Sequence, residues 1–462
     1  MPIVTGRTPG PGTAGQRSAA PEEQAPVWID ALVLGVVIAL FGGLVALGRQ
    51  WSRPFDSNPQ IDLSLAALPR YSLLTLSRGF AAYFCSLAFT LAYGAAAAHN
   101  RRAEKILIPV LDILQGIPVL AFLPGLITGL VAIFPGSNTG LELACILAIF
   151  TGQAWNMTFS FYSSVKAIPS ELIEVARLHR FGFWRRFLQL EVPASMIGLL
   201  WNSMMSMAGG WFFLTIVETV RFKNRDYRLP GVGSYMLEAL HEKNAAAMVA
   251  ACLAMVAIIV FLDQLFWRPL IAWSQKFKLE DTEAAERPTS WAYDLVRRSR
   301  LVAWLKETVK RPRFGSRATA PEVEAEGAIG VREATERAEK VANAIGAAIA
   351  AALAVLTAVG AWHLVLMLAQ LTAADWGELL VALACTTARV LSIMAISLAW
   401  ALPAGIAIGK SPRLSRVLQP VIQVVASFPI PMLFPLIGLG IVASGVPFGI
   451  GCTLLMLLGS QW

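Results

Sequence analysis

Five cysteines (Cys85, Cys145, Cys252, Cys385 and Cys452) and five ionisable residues (Asp112, Glu142, Glu218, Asp263 and His363) could do chemistry from inside the apolar runs of this chain. The cysteines form no Cys-x-x-Cys pair and have no histidine at ligand spacing. They therefore read as buried packing residues, not as a disulfide set or a metal site. An ionisable residue in a membrane span is a pathway candidate by default. Here Asp112 and Glu142 fall near the ends of apolar runs, and Glu218 and Asp263 approach an interface. Those positions suit interfacial or helix-packing roles before substrate contact; His363 stands mid-run. The sequence shows no metal, nucleotide or nucleophile constellation and no Walker A pattern. It is read as a non-enzyme without cofactors, with any ATP-driven work assigned to another chain.

The elements carrying these residues have the composition of a bilayer protein. With 56% hydrophobic and 15% charged residues and a mean hydropathy of +0.60, the chain is too apolar for an ordinary soluble domain. Apolar runs lie at 27–48, 77–98, 106–134, 141–162, 196–219, 246–271, 342–371, 383–409, 417–444 and 446–460. Most reach the roughly 20 residues needed to cross a hydrocarbon core. The prediction is an all-α, polytopic membrane protein. Residues 1–26, rich in Gly, Pro, Ala and Thr, read as a disordered cytoplasmic tail, and the run after them lacks a signal-peptidase site and is expected to be retained.

The net charge of +8 speaks to orientation, not to nucleic acid. Arg101, Arg102 and Lys105, then Lys166, Arg177, Arg180, Arg185 and Arg186, then the charged linker 272–341 all fall on one side, which the positive-inside rule makes cytoplasmic. Arg221, Lys223, Arg225 and Arg228 break that pattern. The turn-like Leu229-Pro230-Gly231-Val232-Gly233-Ser234 after them predicts a folded periplasmic element over about 221–245.

Residues 86–124 reappear at 397–435 without a gap. Pro109, Pro118 and Pro124 recur as Pro420, Pro429 and Pro435, and Ser86-Leu87-Ala88 and Gly94 recur as Ser397-Leu398-Ala399 and Gly405, every pair 311 residues apart. Proline costs about 3 kcal/mol in a helix interior, so three at one offset indicate a copied unit. The predicted layout is a first unit of six spans over 27–271, a cytoplasmic linker over 272–341 and a second unit over 342–462. Both units enter the membrane in the same direction, a parallel repeat about an axis along the membrane normal. Gly459-Ser460-Gln461-Trp462 aligns with Gly152-Gln153-Ala154-Trp155, so the second unit is expected to be truncated after about four spans. Proline-interrupted helices free backbone carbonyls that can face a water-filled cavity. On that ground Gln115, Pro118 and Pro429, with the polar Gln153, Trp155 and Asn156, are candidate pathway-lining residues; a purely shape-setting role is the other reading.

The segment 170–193 is a polar loop too long to be a mere connection. Ser170 is the expected N-cap of a helix whose first turn holds Glu171 and Glu174, and Gly182 the expected left-handed residue that ends it. Leu172, Val175, Ala176 and His179 are predicted to share one face, a small apolar stripe suited to docking into another protein. A second short helix from 183 to about 191 is expected to stop before Pro193.

Here the chain resembles the inner-membrane permeases of bacterial ABC importers, and in particular their cytoplasmic EAA loop. Glu174-Val175-Ala176 and Leu190-Glu191-Val192-Pro193 fit the family pattern; the position of its glycine holds Arg180, with Gly182 two residues later. The resemblance implies the type I importer fold and makes 170–193 the coupling loop, with Glu174, Val175, Ala176, Arg180, Gly182 and Pro193 as its marked positions. It also implies ABC ATPase subunits on the cytoplasmic side, a periplasmic or extracellular solute-binding protein and a bacterial inner-membrane location. Leu229–Tyr235 and Asp263–Leu270 resemble segments of nitrate/sulfonate/taurine-type permeases in which two units are fused. An ion-coupled secondary transporter is the alternative, and it requires buried charges matched in both copies. Asp112 is answered by Gln423, which does not supply them. A membrane-embedded enzyme or scaffold is a third class.

Overall fold

The computed structural model describes residues 51–222 apart from 55, 57 and 58, residues 225–278, 290–298 and 368–460, and scattered positions within 34–50 and 355–366. His363, the 1–26 tail and most of the 272–341 linker lie outside the described residues. Residues 1–308 with 401–462 form one compact unit and residues 309–400 another.

The first unit is built on three long helices whose polar side chains meet in register. α1 (Leu68–His99) opens with Pro69 in its first turn, where a missing N–H costs nothing. α2 (Arg101–Gly116), capped by the Asn100 side chain, and α3 (Val119–Ile133) lead to α4 (Thr139–Lys166). α4 lies parallel to α1: Arg78 meets Glu142, Ser86 meets Gln153 and Thr90 meets Thr158. α5 (Ser170–Leu178) and α6 (Phe183–Arg186) follow, and α7 (Val192–Val217) returns antiparallel to α4, with Gln153 on Met207 and Asn202 on Ser160. Glycines permit this approach. A Cβ on Gly94 would lie 2.7 Å from Phe161, and one on Gly210 would lie 2.5 Å from the Gln153 amide.

The run 106–134 is not one straight span. α2 and α3 are bent by 93°, because Pro118 has no N–H to give and holds Ile117 in an extended conformation (φ −80°, ψ 118°). Among the described residues, the helices long and apolar enough to cross a membrane are Leu65–His99, Ala245–Phe277 and Ala373–Lys410, with the bent pair as a fourth or a re-entrant turn.

The chain is mostly helical as expected, with one short exception among the described residues. After α7 the chain forms an antiparallel hairpin of β1 (Thr219–Phe222) and β2 (Arg225–Arg228), with Thr219 opposite Arg228. α8 (Val232–His241) then begins inside the stretch predicted as a turn. α9 (Ala245–Leu262) continues through a π turn, Asp263–Trp267, into α10 (Arg268–Ser274), and α11 (Trp291–Arg298) lies beyond.

In the later part of the chain, α12 (Ala373–Lys410), α13 (Pro412–Ser427), α14 (Phe434–Ser444) and α15 (Phe448–Ser460) follow. α1 ends at His99 and α12 at Lys410; α2 spans 101–116 and α13 spans 412–427. The helix boundaries thus recur at the same 311-residue offset as the prolines, and the Ser411 side chain caps α13 as Asn100 caps α2. Cys145 is buried, but Cys85 and Cys385 are exposed, so the packing role expected of all five cysteines does not extend to those two.

Candidate coupling surface and translocation site

The surface helix α5 starts at Ser170, the residue expected to cap it. Pro169 occupies the N-cap, and Ser170 is already helical and makes no cap hydrogen bond. At its other end the Arg180 N–H donates to the Arg177 carbonyl (2.9 Å) and the Phe181 N–H to the Ala176 carbonyl (2.9 Å). This paired pattern requires a left-handed residue between them. That residue is Arg180 (φ 49°), whereas Gly182 has φ −65° and precedes α6, contrary to expectation. The position where the related loops hold glycine is therefore the one that takes glycine's conformation, despite its arginine. A non-glycine residue there costs about 1 kcal/mol or more. Arg180→Gly is expected to stabilise the loop by about 1 kcal/mol, seen as slower amide hydrogen exchange across 170–182.

The predicted stripe is divided in the structure. Ala176 is buried and Leu172 and Ile173 pack against the core. Val175 (49% exposed) and Leu178 (82%) face outward with Glu171 and Glu174. Ala176 therefore anchors the helix, and the outward patch is Glu174, Val175 and Leu178. The second short helix does not stop before Pro193. α6 runs through a π turn, Phe187–Glu191, into α7, and Pro193 sits in the turn that follows. The wider π turn accommodates a residue with no N–H to bond back along the helix. Behind it Glu191, fully buried, meets His99 (2.9 Å) and Arg186 (2.7 Å), tying the end of α1 to the loop.

Of the predicted pathway residues, Gln153 is buried against Ser86 and Met207, and Trp155 packs edge-on to Phe89 and Phe150. Asn156, Gln115 and Pro118 are exposed, with Gln115 donating to Asp112. Pro429 is buried. None of these lines the cavity of about 580 Å³ that lies between α7 and α13 and is walled by Met204, Ala208, Phe212, Gln423, Ser427 and Phe428. The residues just before Pro429 thus reach the cavity while the proline supports them. At its edge Gln423 donates to Asp263 (2.9 Å), whose other oxygen accepts from Arg268 (2.9 Å) and Gln264 (2.8 Å).

Sequence reasoning missed the buried ion cluster at the opposite end of the bundle from α5. Arg78 donates from Nε and Nη2 to both oxygens of Glu142 (2.7 and 2.8 Å), and from Nη1 to Glu218 (2.9 Å) and the Pro230 carbonyl (2.8 Å). All three side chains are wholly buried. Glu218 further accepts from Thr75 and from the Gly233 N–H, so α1, α4, α7 and the start of α8 converge on it. A signal was available: Thr75-x-x-Arg78 recurs as Thr386-x-x-Arg389 at the 311-residue offset, inside a second apolar run.

Residues 88–266 match the family described as binding-protein-dependent transport system inner membrane component. The chain is 22% identical over 261 residues to a putative aliphatic sulfonates transport permease protein of Bacillus subtilis, covering 54% of this chain and 90% of that one. It is 26% identical over 206 residues to the taurine transport system permease protein of Escherichia coli, covering 44% and 69% respectively. It is also 24% identical over 242 residues to the trimethylamine N-oxide transport system permease protein of Pelagibacter ubique, covering 52% of this chain but only 29% of that one. These relatives are transport permeases and not enzymes. With its apolar helices and its surface loop between α4 and α7, the chain is similar over residues 88–266 to the inner-membrane permeases of binding-protein-dependent transport systems.

Proposed function

We propose that the chain forms the translocation pathway of an ABC importer and that the outward face of α5 is where a cytoplasmic ATPase subunit pushes on it. The observation that carries this is the division of labour in α5: Ala176 is buried against the body, while Glu174, Val175 and Leu178 stand free on the surface. A lever needs that construction, anchored on one face and accessible on the other. In this reading the loop, the 1–26 tail and the 272–341 linker are cytoplasmic, the Arg78 end of the bundle faces outward, and a solute-binding protein docks there. The 311-residue recurrence of helix ends supports a second, parallel unit in the later part of the chain. The sulfonate and taurine relatives favour a small solute bearing an oxyanion group.

The test is transport in proteoliposomes with the cognate ATPase and binding protein. Glu174→Lys with Leu178→Glu should cut uptake to about a tenth or less, by opposing charge and lost apolar contact at a docking hot spot, while membrane insertion and thermal midpoint stay unchanged. Wild-type uptake by that variant would remove the coupling role. Ala176→Trp differs: its site is buried, so it should also lower the midpoint.

A further inference from the structure

We propose that the cavity between the described helical residues of 42–51 and the first turns of α1 binds an oxyanion that carries an apolar tail. The cavity measures about 550 Å³; Arg49, Gln50, Arg53 and Arg70 form its polar wall and Val45 and Leu74 part of its apolar floor. Among the described residues, no carboxylate lines it. Four other arginines, Arg78, Arg186, Arg228 and Arg268, each reach a carboxylate. Among the described residues, the side chains of Arg49, Arg53 and Arg70 have neither an ion pair nor a hydrogen bond.

Gln50 supplies an independent sign of a ligand. The residue is 5% exposed and lines the cavity, and its side chain has no hydrogen-bond partner among the described residues. A buried amide is ordinarily satisfied. Three guanidiniums and an amide offer donors in quantity, and the complement to them is a phosphate, sulfonate or carboxylate, which guanidinium forks bind bidentately. Arg70 stands in the first turn of α1, where the helix dipole adds to the attraction for an anion. The apolar floor adds a requirement for hydrocarbon next to the charge, which a free inorganic ion does not meet.

The site lies at the Arg78 end of α1, away from α5. If that end faces outward, as the functional reading has it, the arginines stand where positive residues are disfavoured, and only this clause rests on that reading. Two sources share the chemistry: the phosphate of a membrane lipid, and a small organic anion on its way to the pathway.

The experiment uses the full chain in neutral detergent beside the Arg49→Gln, Arg53→Gln, Arg70→Gln triple variant. Native mass spectrometry compares retained phosphatidylglycerol with phosphatidylcholine, and calorimetry titrates butanesulfonate and butyl phosphate. The expected result is phosphatidylglycerol or butyl-anion binding that weakens about ten-fold or more in the triple variant. Retention of phosphatidylglycerol alone assigns the site to lipid, and butyl-anion binding alone assigns it to solute. Equal binding by wild type and triple variant, no binding of any probe, or equal retention of phosphatidylcholine overturns the proposal. Should the triple variant not fold, the three single Arg→Gln variants serve, and unchanged binding in all of them overturns it equally. The readout needs neither ATPase nor transport, so its failure leaves the permease reading standing and is not confused with failure of the coupling test.

Discussion

Arg78→Met should lower the thermal midpoint of the solubilised chain by on the order of 10 °C, because removing one member of a buried ion cluster costs about 3–5 kcal/mol. Arg78 answers two carboxylates at once, both wholly buried. Without it Glu142 and Glu218 face each other's charge with no cation and no water. Surface ion pairs would not behave this way; their loss costs about 1 kcal/mol or less. Glu218 cannot simply retreat, since a Cβ placed on Gly231 would already collide with its carboxylate, so the loop before α8 is moulded around this side chain. The check on mechanism is a compensated variant. Arg78→Met with Glu142→Gln and Glu218→Gln removes all three charges while leaving acceptors for Thr75 and the Gly233 N–H, and should recover a substantial part of the loss. If the single variant melts as wild type does, or the triple variant melts no higher than the single, the cluster is not what joins α1, α4 and α7.

What the sequence made legible was what prolines and periodicity control. Pro118 and Pro429 each end a helix at the same place in the two halves because a proline acts on its own neighbours, whatever packs around it. The surface helix α5 was legible for the same local reason. Its orientation was not. The periodicity that groups Leu172, Val175, Ala176 and His179 locates a face only approximately, and the body takes Leu172, Ile173 and Ala176 instead. The left-handed residue is misplaced because glycine is the cheapest occupant of that conformation, yet the hydrogen bonds from Arg180 and Phe181 fix the left-handed turn at Arg180 whatever side chain stands there. The ion cluster was hidden for a different reason. Its members lie 64 and 140 residues apart, and each alone looks like an interfacial charge.

Gln423→Glu should release α13 from α7 and α9 at neutral pH. The exchange is isosteric, but it replaces the N–H that Gln423 gives Asp263 at 2.9 Å with a second carboxylate oxygen. A hydrogen bond to a charged group, worth about 1.5–3 kcal/mol, becomes a like-charge contact. Asp263 cannot turn away without leaving Arg268 and Gln264, which hold its other oxygen. The first half of the chain shows where an acid is tolerated at this position. Its counterpart of Gln423 is Asp112, exposed and bonded by Gln115, with no carboxylate against it. Hydrogen exchange across 412–427, with α4 as internal reference, should therefore be faster in the variant than in wild type at pH 7.5. Gln423 also donates to the Met204 sulfur (2.7 Å), so the same exchange removes both bonds that this side chain makes to α7 and to the Asp263 turn. Equal protection of the variant and wild type would show that the Gln423 bonds are incidental to the wall of the cavity.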